Sequence, residues 1–190
     1  MLYTNDQVNL SQMQTVAERI IKLLPKKRIV LLYGDLGAGK TELVKIIGKK
    51  LGIKKSINSP TFLIAKHYNL PNNLPNDVNN YCSNLKDESF SLVDITQNRI
   101  YSKNTIRKIR KLNIRTLYHY DLYRLGSFHE LVEIGFADVV ADKNCITFIE
   151  WPDKIRDFNK YLEKYVSKDD ILAIHLEHTD NPKIRKINIK

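Results

Sequence analysis

The run "YGDLGAGKTEL" (33–43) sets Gly34, Gly39, Lys40 and Thr41 at the spacing G-x-x-x-x-G-K-T. Glycines at 34, 37 and 39 let the chain curl until successive backbone N–H groups converge, an arrangement that suits phosphate oxygens. A helix opening at Thr41 would aim the positive end of its dipole at the same anion. Lys40 would reach between the β- and γ-phosphates, and the Thr41 hydroxyl would ligate Mg²⁺. The cradle expected for ATP is therefore Gly34, Asp35, Leu36, Gly37, Ala38 and Gly39, with Lys40, Thr41 and Glu42 opening the helix.

Mg²⁺ in such a site usually takes a second anchor, a carboxylate at the C-terminal end of a neighbouring strand. Three segments have the form of an apolar run followed by an acid: "FSLVD" ending at Asp94, "LYHYD" at Asp121 and "ITFIE" at Glu150. Asp94 lies in an asparagine-rich stretch, where a chance match is the better explanation. Glu150 follows the most apolar run and is the preferred metal-side group; its alternative is to cap a helix beginning at Pro152. Asp121 is then available to orient an attacking water or to pair with Lys40, the alternative being a salt bridge to Arg124. Trp151 is the only tryptophan, and either packs in the core or edges the nucleotide. The five histidines lack metal-ligand spacing: His175 and His178, three apart on an expected strand, face opposite sides.

These groups need elements to hold them. "RIVLLY" (28–33) reads as a strand buried on both faces, and "TELVKIIGKKLG" as the helix that the loop motif requires. "SQMQTVAERIIKLL" (11–24) is an amphipathic helix, with Ser11 and Gln14 as its expected capping box. "TFLIAKHYN" (61–69), "TLYHYD" and "CITFIE" read as strands, "SFHELVEIGF" as a helix capped by Ser127 and Glu130, and "PDKIRDFNKYLEKY" as a helix with Pro152 in its first turn. "ILAIHLEH" (171–178) and "KIRKINIK" (183–190) alternate like half-exposed strands around the turn "TDNP". The order argues for one α/β domain over 1–190 with a mainly parallel sheet. Segment 71–115 breaks that order. It has nine asparagines and no glycine or alanine, and it reads as an insertion, partly disordered or with one basic helix.

The net charge of +10 is peripheral. Segment 71–115 has eight Lys/Arg against four Asp/Glu, and 182–190 has four Lys/Arg and no acid. A solvated basic surface is the plain reading; contact with RNA or an acidic partner through 99–115 and 183–190 is the sharper one. Two widely separated cysteines, no signal-like start and no apolar run of spanning length lead to the expectation of a cytoplasmic protein without membrane contact. A GTPase would show N-K-x-D, which is absent, and a helicase or transporter ATPase would need more chain. A small-molecule kinase stays open, with "IRKIRKLNIR" (106–115) as a lid over phosphates.

"YGDLGAGKTEL", "SPTF" (59–62), "HYDLYRL" (119–125), "ELVEIGFADVV" (130–140) and "IEWPDK" (149–154) follow one another as in the TsaE (YjeE) family, which this chain resembles over roughly 10–70 and 116–178. The resemblance implies a P-loop NTPase-type three-layer domain and a Mg²⁺-dependent ATPase needed for threonylcarbamoyladenosine modification of tRNA. It implies that Thr41 and Glu150 hold Mg²⁺, that Asp121 and Trp151 act near the nucleotide, and that Ser59, Pro60 and Thr61 form a switch-like segment near the γ-phosphate. The implied partner is the tRNA threonylcarbamoyl transferase complex, with the chain as its ATP-driven assembly or reset factor. A nucleotide-gated tRNA-binding module is a third reading, beside the kinase. The family joins its second strand to "HxDLYRL" by a short turn, whereas some 45 residues intervene here. Such an insert is tolerable because loop-closure cost grows slowly with length.

Overall fold

The computed structural model describes residues 5–71, 92–94, 99–101 and 113–190. In chain order the strands are β1 (Asn5–Val8), β2 (Ile29–Tyr33), β3 (Ala65–Asn69), β4 (Leu92–Asp94), β5 (Arg99–Tyr101), β6 (Thr116–Asp121), β7 (Cys145–Glu150), β8 (Ile171–His178) and β9 (Arg185–Ile189). The helices are α1 (Met13–Leu23), α2 (Lys40–Lys50), α3 (Phe128–Glu133), α4 (Phe136–Ala141) and α5 (Phe158–Leu162).

"IVLLY" and "CITFIE" offer no polar face, so each strand needs a neighbour on both edges and cover on both sides. Both receive them. β2 runs parallel to β7 on one side and β8 on the other, and β7 is parallel to β6. The seven-stranded order is β1-β9-β8-β2-β7-β6-β3, with β3, β9 and β1 antiparallel to their neighbours outside the parallel centre. Successive residues of β2 divide between the two faces, as the period of two demands. Val30 and Leu32 join α1 and α2 in one apolar cluster. Ile29 and Leu31 join Phe128, Phe136 and Phe158 of α3–α5 in the other. Helices on both faces of a central sheet make the three-layer α/β architecture.

Three local expectations need correction. Ser11 and Gln14 do not form a capping box for α1; the reciprocal side-chain bonds lie in the turn before the helix, between Asn9 and Gln12. Asn9 N–H donates to Gln12 Oε1 at 2.9 Å, and Gln12 N–H donates to Asn9 Oδ1 at 3.0 Å. The strand expected over 61–69 begins only at Ala65, because Ile64 sits at φ 64° and turns the chain before the ladder starts. The helix expected after Trp151 is a 3₁₀ turn, Pro152–Lys154, followed by α5, with Asp157 at φ 56° between them. The cap at Ser127 follows the pattern: Glu130 Oε1 accepts its N–H at 2.9 Å and its hydroxyl at 3.0 Å.

Within 71–115, β4 and β5 pair as a separate two-stranded sheet. The basic helix expected at "NTIRKIRKL" lies outside the described residues. Most of the basic tail is in β9, a strand bonded on both edges. No helix among the described residues is long and apolar enough to cross a membrane.

Candidate nucleotide-binding site

Parallel register brings the chemistry together. Pairing of β6 with β7 sets Asp121 beside Glu150, and pairing of β2 with β7 sets Leu32 beside Glu150. The glycine loop leaves β2 one residue after Leu32's neighbour Tyr33, so loop and both acids share the carboxyl end of the sheet. In open α/β sheets that end is where ligands bind.

The loop conformation depends on its glycines. Gly34, Gly37 and Gly39 have φ of 135°, 76° and 102°. A Cβ on Gly34 would also stand 2.1 Å from the carbonyl oxygen of Leu176, so β8 presses directly on the loop. Two more contacts brace it from the same hairpin. His178 Nε2 lies 3.1 Å from Leu36 O, and Arg185 donates to Gly37 O at 3.4 Å. Past Gly39, α2 opens with N–H groups that have no partner within the helix.

Lys40 is buried and folded back on the loop. Its ammonium donates to the carbonyls of Gly34 at 2.6 Å and Asp35 at 2.9 Å, and lies 3.6 Å from the centroid of the Trp151 ring. Burial lowers its pKa below the usual lysine value, opposed by the charges of Glu150, Asp121, Asp153 and Asp35 in that order. Trp151 itself is half-buried at φ 59°, its N–H donating to Leu32 O at 3.2 Å, with Tyr123's ring 5.0 Å away. The ring packs against the apolar cluster of α3–α5 and also lies beside Lys40, so the structure does not choose between its two expected placements.

The Thr41 hydroxyl donates to Glu150 Oε1 at 2.7 Å. The same oxygen takes Nε2 of His119 at 2.7 Å, and His119 and Glu150 are both buried. A hydroxyl and a carboxylate are hard oxygen donors, and two such groups fit a Mg²⁺ that also keeps waters and phosphate oxygens. No group of three or more His, Cys, Asp or Glu able to cage a metal occurs among the described residues. Glu150's carboxylate is thus engaged with α2 and not with the turn after Pro152.

Asp121 anchors a second cluster. Its Oδ2 accepts the hydroxyls of Ser59, at 3.0 Å, and Thr61, and its Oδ1 accepts the N–H of Tyr123 at 3.1 Å. Ser59 Oγ and Thr61 Oγ1 stand 2.5 Å apart where they converge on that oxygen. Arg124, the alternative partner considered for Asp121, lies instead over the exposed ring of Phe62, 4.3 Å from its centroid. Of the expected cradle, Glu42 turns its carboxylate outward to Lys45 at 3.3 Å, leaving only its backbone at the helix mouth.

His119 was not singled out as a site residue. Its signal was available: two residues before Asp121 on a strand, it shares Asp121's face. The brace from Leu176, His178 and Arg185 had no signal, since it depends on how the last hairpin crosses the loop.

A strand, glycine loop and helix at the carboxyl end of a parallel sheet, with a Thr–Glu pair beside the loop, define a P-loop NTPase-type α/β protein. The family model described as threonylcarbamoyl adenosine biosynthesis protein TsaE matches residues 8–85 and 99–187, and the chain belongs to that family. A Rickettsia conorii protein named tRNA threonylcarbamoyladenosine biosynthesis protein TsaE is 30% identical over 169 residues, 88% of this chain and 67% of the relative. The Haemophilus influenzae protein of the same name is 28% identical over 139 residues, 73% of this chain and 61% of that relative. About a third of the first relative and about two fifths of the second lie outside the match. In fold, the chain is similar to the crystal structure of Bacillus subtilis YdiB, with TM-score 0.50 and 16% identity over 100% of this chain and 87% of that one.

Proposed function

We propose that this chain is a Mg²⁺-dependent ATPase in threonylcarbamoyladenosine modification of tRNA, acting as an assembly or reset factor of the tRNA threonylcarbamoyl transferase complex. The observation that carries the reading is the Thr41–Glu150 hydrogen bond of 2.7 Å beside the glycine loop. Thr41 and Glu150 would hold Mg²⁺, and the chemistry the ion would supply there is positive charge to offset that of the phosphates.

The chain's own residues do the rest. The loop amides and the mouth of α2 bind phosphate, and Lys40 exchanges its two carbonyl partners for phosphate oxygens. Asp121 orients the attacking water, a role supported by its burial and by the acceptor capacity left on Oδ1, which takes only the Tyr123 N–H. Ser59 and Thr61, hydrogen-bonded to Asp121, couple the segment carrying exposed Phe62 and Leu63 to the site. A segment released or held by the phosphate is the physical requirement for a switch. Names of the relatives support the pathway; the ATPase cycle and the partner are our reading.

Binding of the purified chain to the transferase complex tests this, measured with a β,γ-imido analogue of ATP and with ADP. Tighter binding with the triphosphate analogue is expected. Equal affinity in both states would contradict the proposal, and binding that tracks tRNA alone would favour the tRNA-binding module.

A further inference from the structure

We propose that His119 is a positioning residue for the metal-side carboxylate: its Nε2–H holds Glu150 in the orientation that Mg²⁺ requires. The inference rests on the reading of Glu150 as a Mg²⁺ ligand and adds a residue to it.

The imidazole is fully buried, and Glu150 is 3% exposed. An ionised carboxylate only accepts, so the 2.7 Å contact between Nε2 and Glu150 Oε1 places the proton on Nε2. Thr41's hydroxyl donates to the same oxygen, so both donors converge on Oε1 and neither engages Oε2. The other ring nitrogen, Nδ1, is buried without a hydrogen-bond partner among the described residues. Buried polar groups are normally satisfied, and a histidine kept for packing would be expected to use both nitrogens. Here the ring's hydrogen bonding is directed at Glu150 alone. A glutamate loses rotamer freedom when fixed, and holding it beforehand removes that cost from the ligation step. Partners that orient a ligating carboxylate typically matter about 10–100-fold in metal affinity.

The test uses the full chain, with Trp151 fluorescence reporting binding of the β,γ-imido analogue of ATP as Mg²⁺ is titrated and again in EDTA. His119→Leu removes the donor, and His119→Gln keeps an N–H at similar reach. The expected result for His119→Leu is a Mg²⁺ midpoint raised about tenfold or more, with affinity in EDTA within about threefold of wild type. His119→Gln should return the midpoint to within about threefold of wild type. An unchanged midpoint in His119→Leu, equal impairment in both variants, or a matching loss in EDTA would overturn the proposal. Because the site is buried, a measurement on wild-type protein stands beside these variants: the ¹⁵N shift of His119 Nε2 should be that of a protonated imidazole nitrogen, with slow solvent exchange. An unprotonated Nε2 would overturn the proposal whatever the variants do. A wild-type response that ignores Mg²⁺ would instead overturn the metal reading of Glu150, and this inference with it.

Discussion

Thr41 and Glu150, 109 residues apart in the chain, meet through a hydrogen bond of 2.7 Å. The contact joins the first turn of α2 to the end of β7, and it exists because β2 and β7 are parallel neighbours with Leu32 beside Glu150. Two features that are generic alone, a glycine loop and a strand-end acid, become one site through that register.

Nucleotide binding should be visible at Trp151. Lys40 sits 3.6 Å from the indole centroid, and phosphate oxygens would draw the ammonium away. A cation–π contact at a partly desolvated site is worth about 1–2 kcal/mol, so its loss changes the ring's surroundings measurably. We expect a fluorescence change on adding ATP, from the chain's only tryptophan. Lys40→Ala should remove the change attributable to Lys40 and weaken ATP binding about tenfold or more, as loss of a charged phosphate contact would. Titration of both proteins by fluorescence and by calorimetry checks this.

Gly34→Ala should damage fold and site together. The new Cβ would stand 2.1 Å from Leu176 O, at a backbone φ of 135° that L-residues rarely adopt. The obstacle is backbone and cannot swing aside. A loss of about 2 kcal/mol or more in urea unfolding is expected, together with loss of ATP binding. Gly37→Ala, whose Cβ would meet only the His178 ring at 3.8 Å, should cost less.

Asp121 and Thr61 should behave as one unit. Asp121→Asn removes the ionised acceptor, and Thr61→Val removes a hydroxyl that donates to it. ATP turnover should fall about 100-fold or more in Asp121→Asn, with ATP affinity within about threefold of wild type. The double variant should cost less than the sum of the singles, with a coupling of about 0.5–3 kcal/mol. Additive losses in single-turnover hydrolysis would separate the two roles.

Cys145 should be inert in the folded chain. Its buried thiol donates to Asp142 Oδ2 at 3.1 Å, and burial followed by that contact pushes its pKa from the ordinary thiol value of 9.0 up to about 12. A raised pKa means the folded state keeps a proton that the unfolded state releases. This contribution to stability is complete below pH 9.0 and is lost as pH rises toward about 12. In a Cys82→Ser background, a thiol-reactive disulfide reagent at pH 8.5 should label native protein far more slowly than unfolded protein.

Much of this was legible because apolar period and loop chemistry are local. "RIVLLY" could only be a buried strand, and "GDLGAGKT" could only bend where glycine permits. Glu150 and Asp121 were readable as acids ending apolar runs. Other parts depended on distant contacts. Asn9–Gln12 and Ser11–Gln14 have the same capping spacing, and spacing does not show that the Ser11 hydroxyl turns back to Asn9 Oδ1. Ile64 at φ 64° breaks the strand expected at Thr61, and the break leaves Ser59 and Thr61 at Asp121. No residue type announces a left-handed isoleucine. His119 stands in "HYD", but nothing local to that stretch shows that Glu150, 31 residues on, is its partner.

The most direct test of the account is steady-state ATP hydrolysis by the purified chain, with and without the tRNA threonylcarbamoyl transferase complex, for wild type and Glu150→Ala. The account predicts slow hydrolysis by the wild-type chain alone, a clear rise with the complex and Mg²⁺, and loss of about 100-fold or more in Glu150→Ala. Hydrolysis that ignores the complex, or full activity in Glu150→Ala, would contradict it.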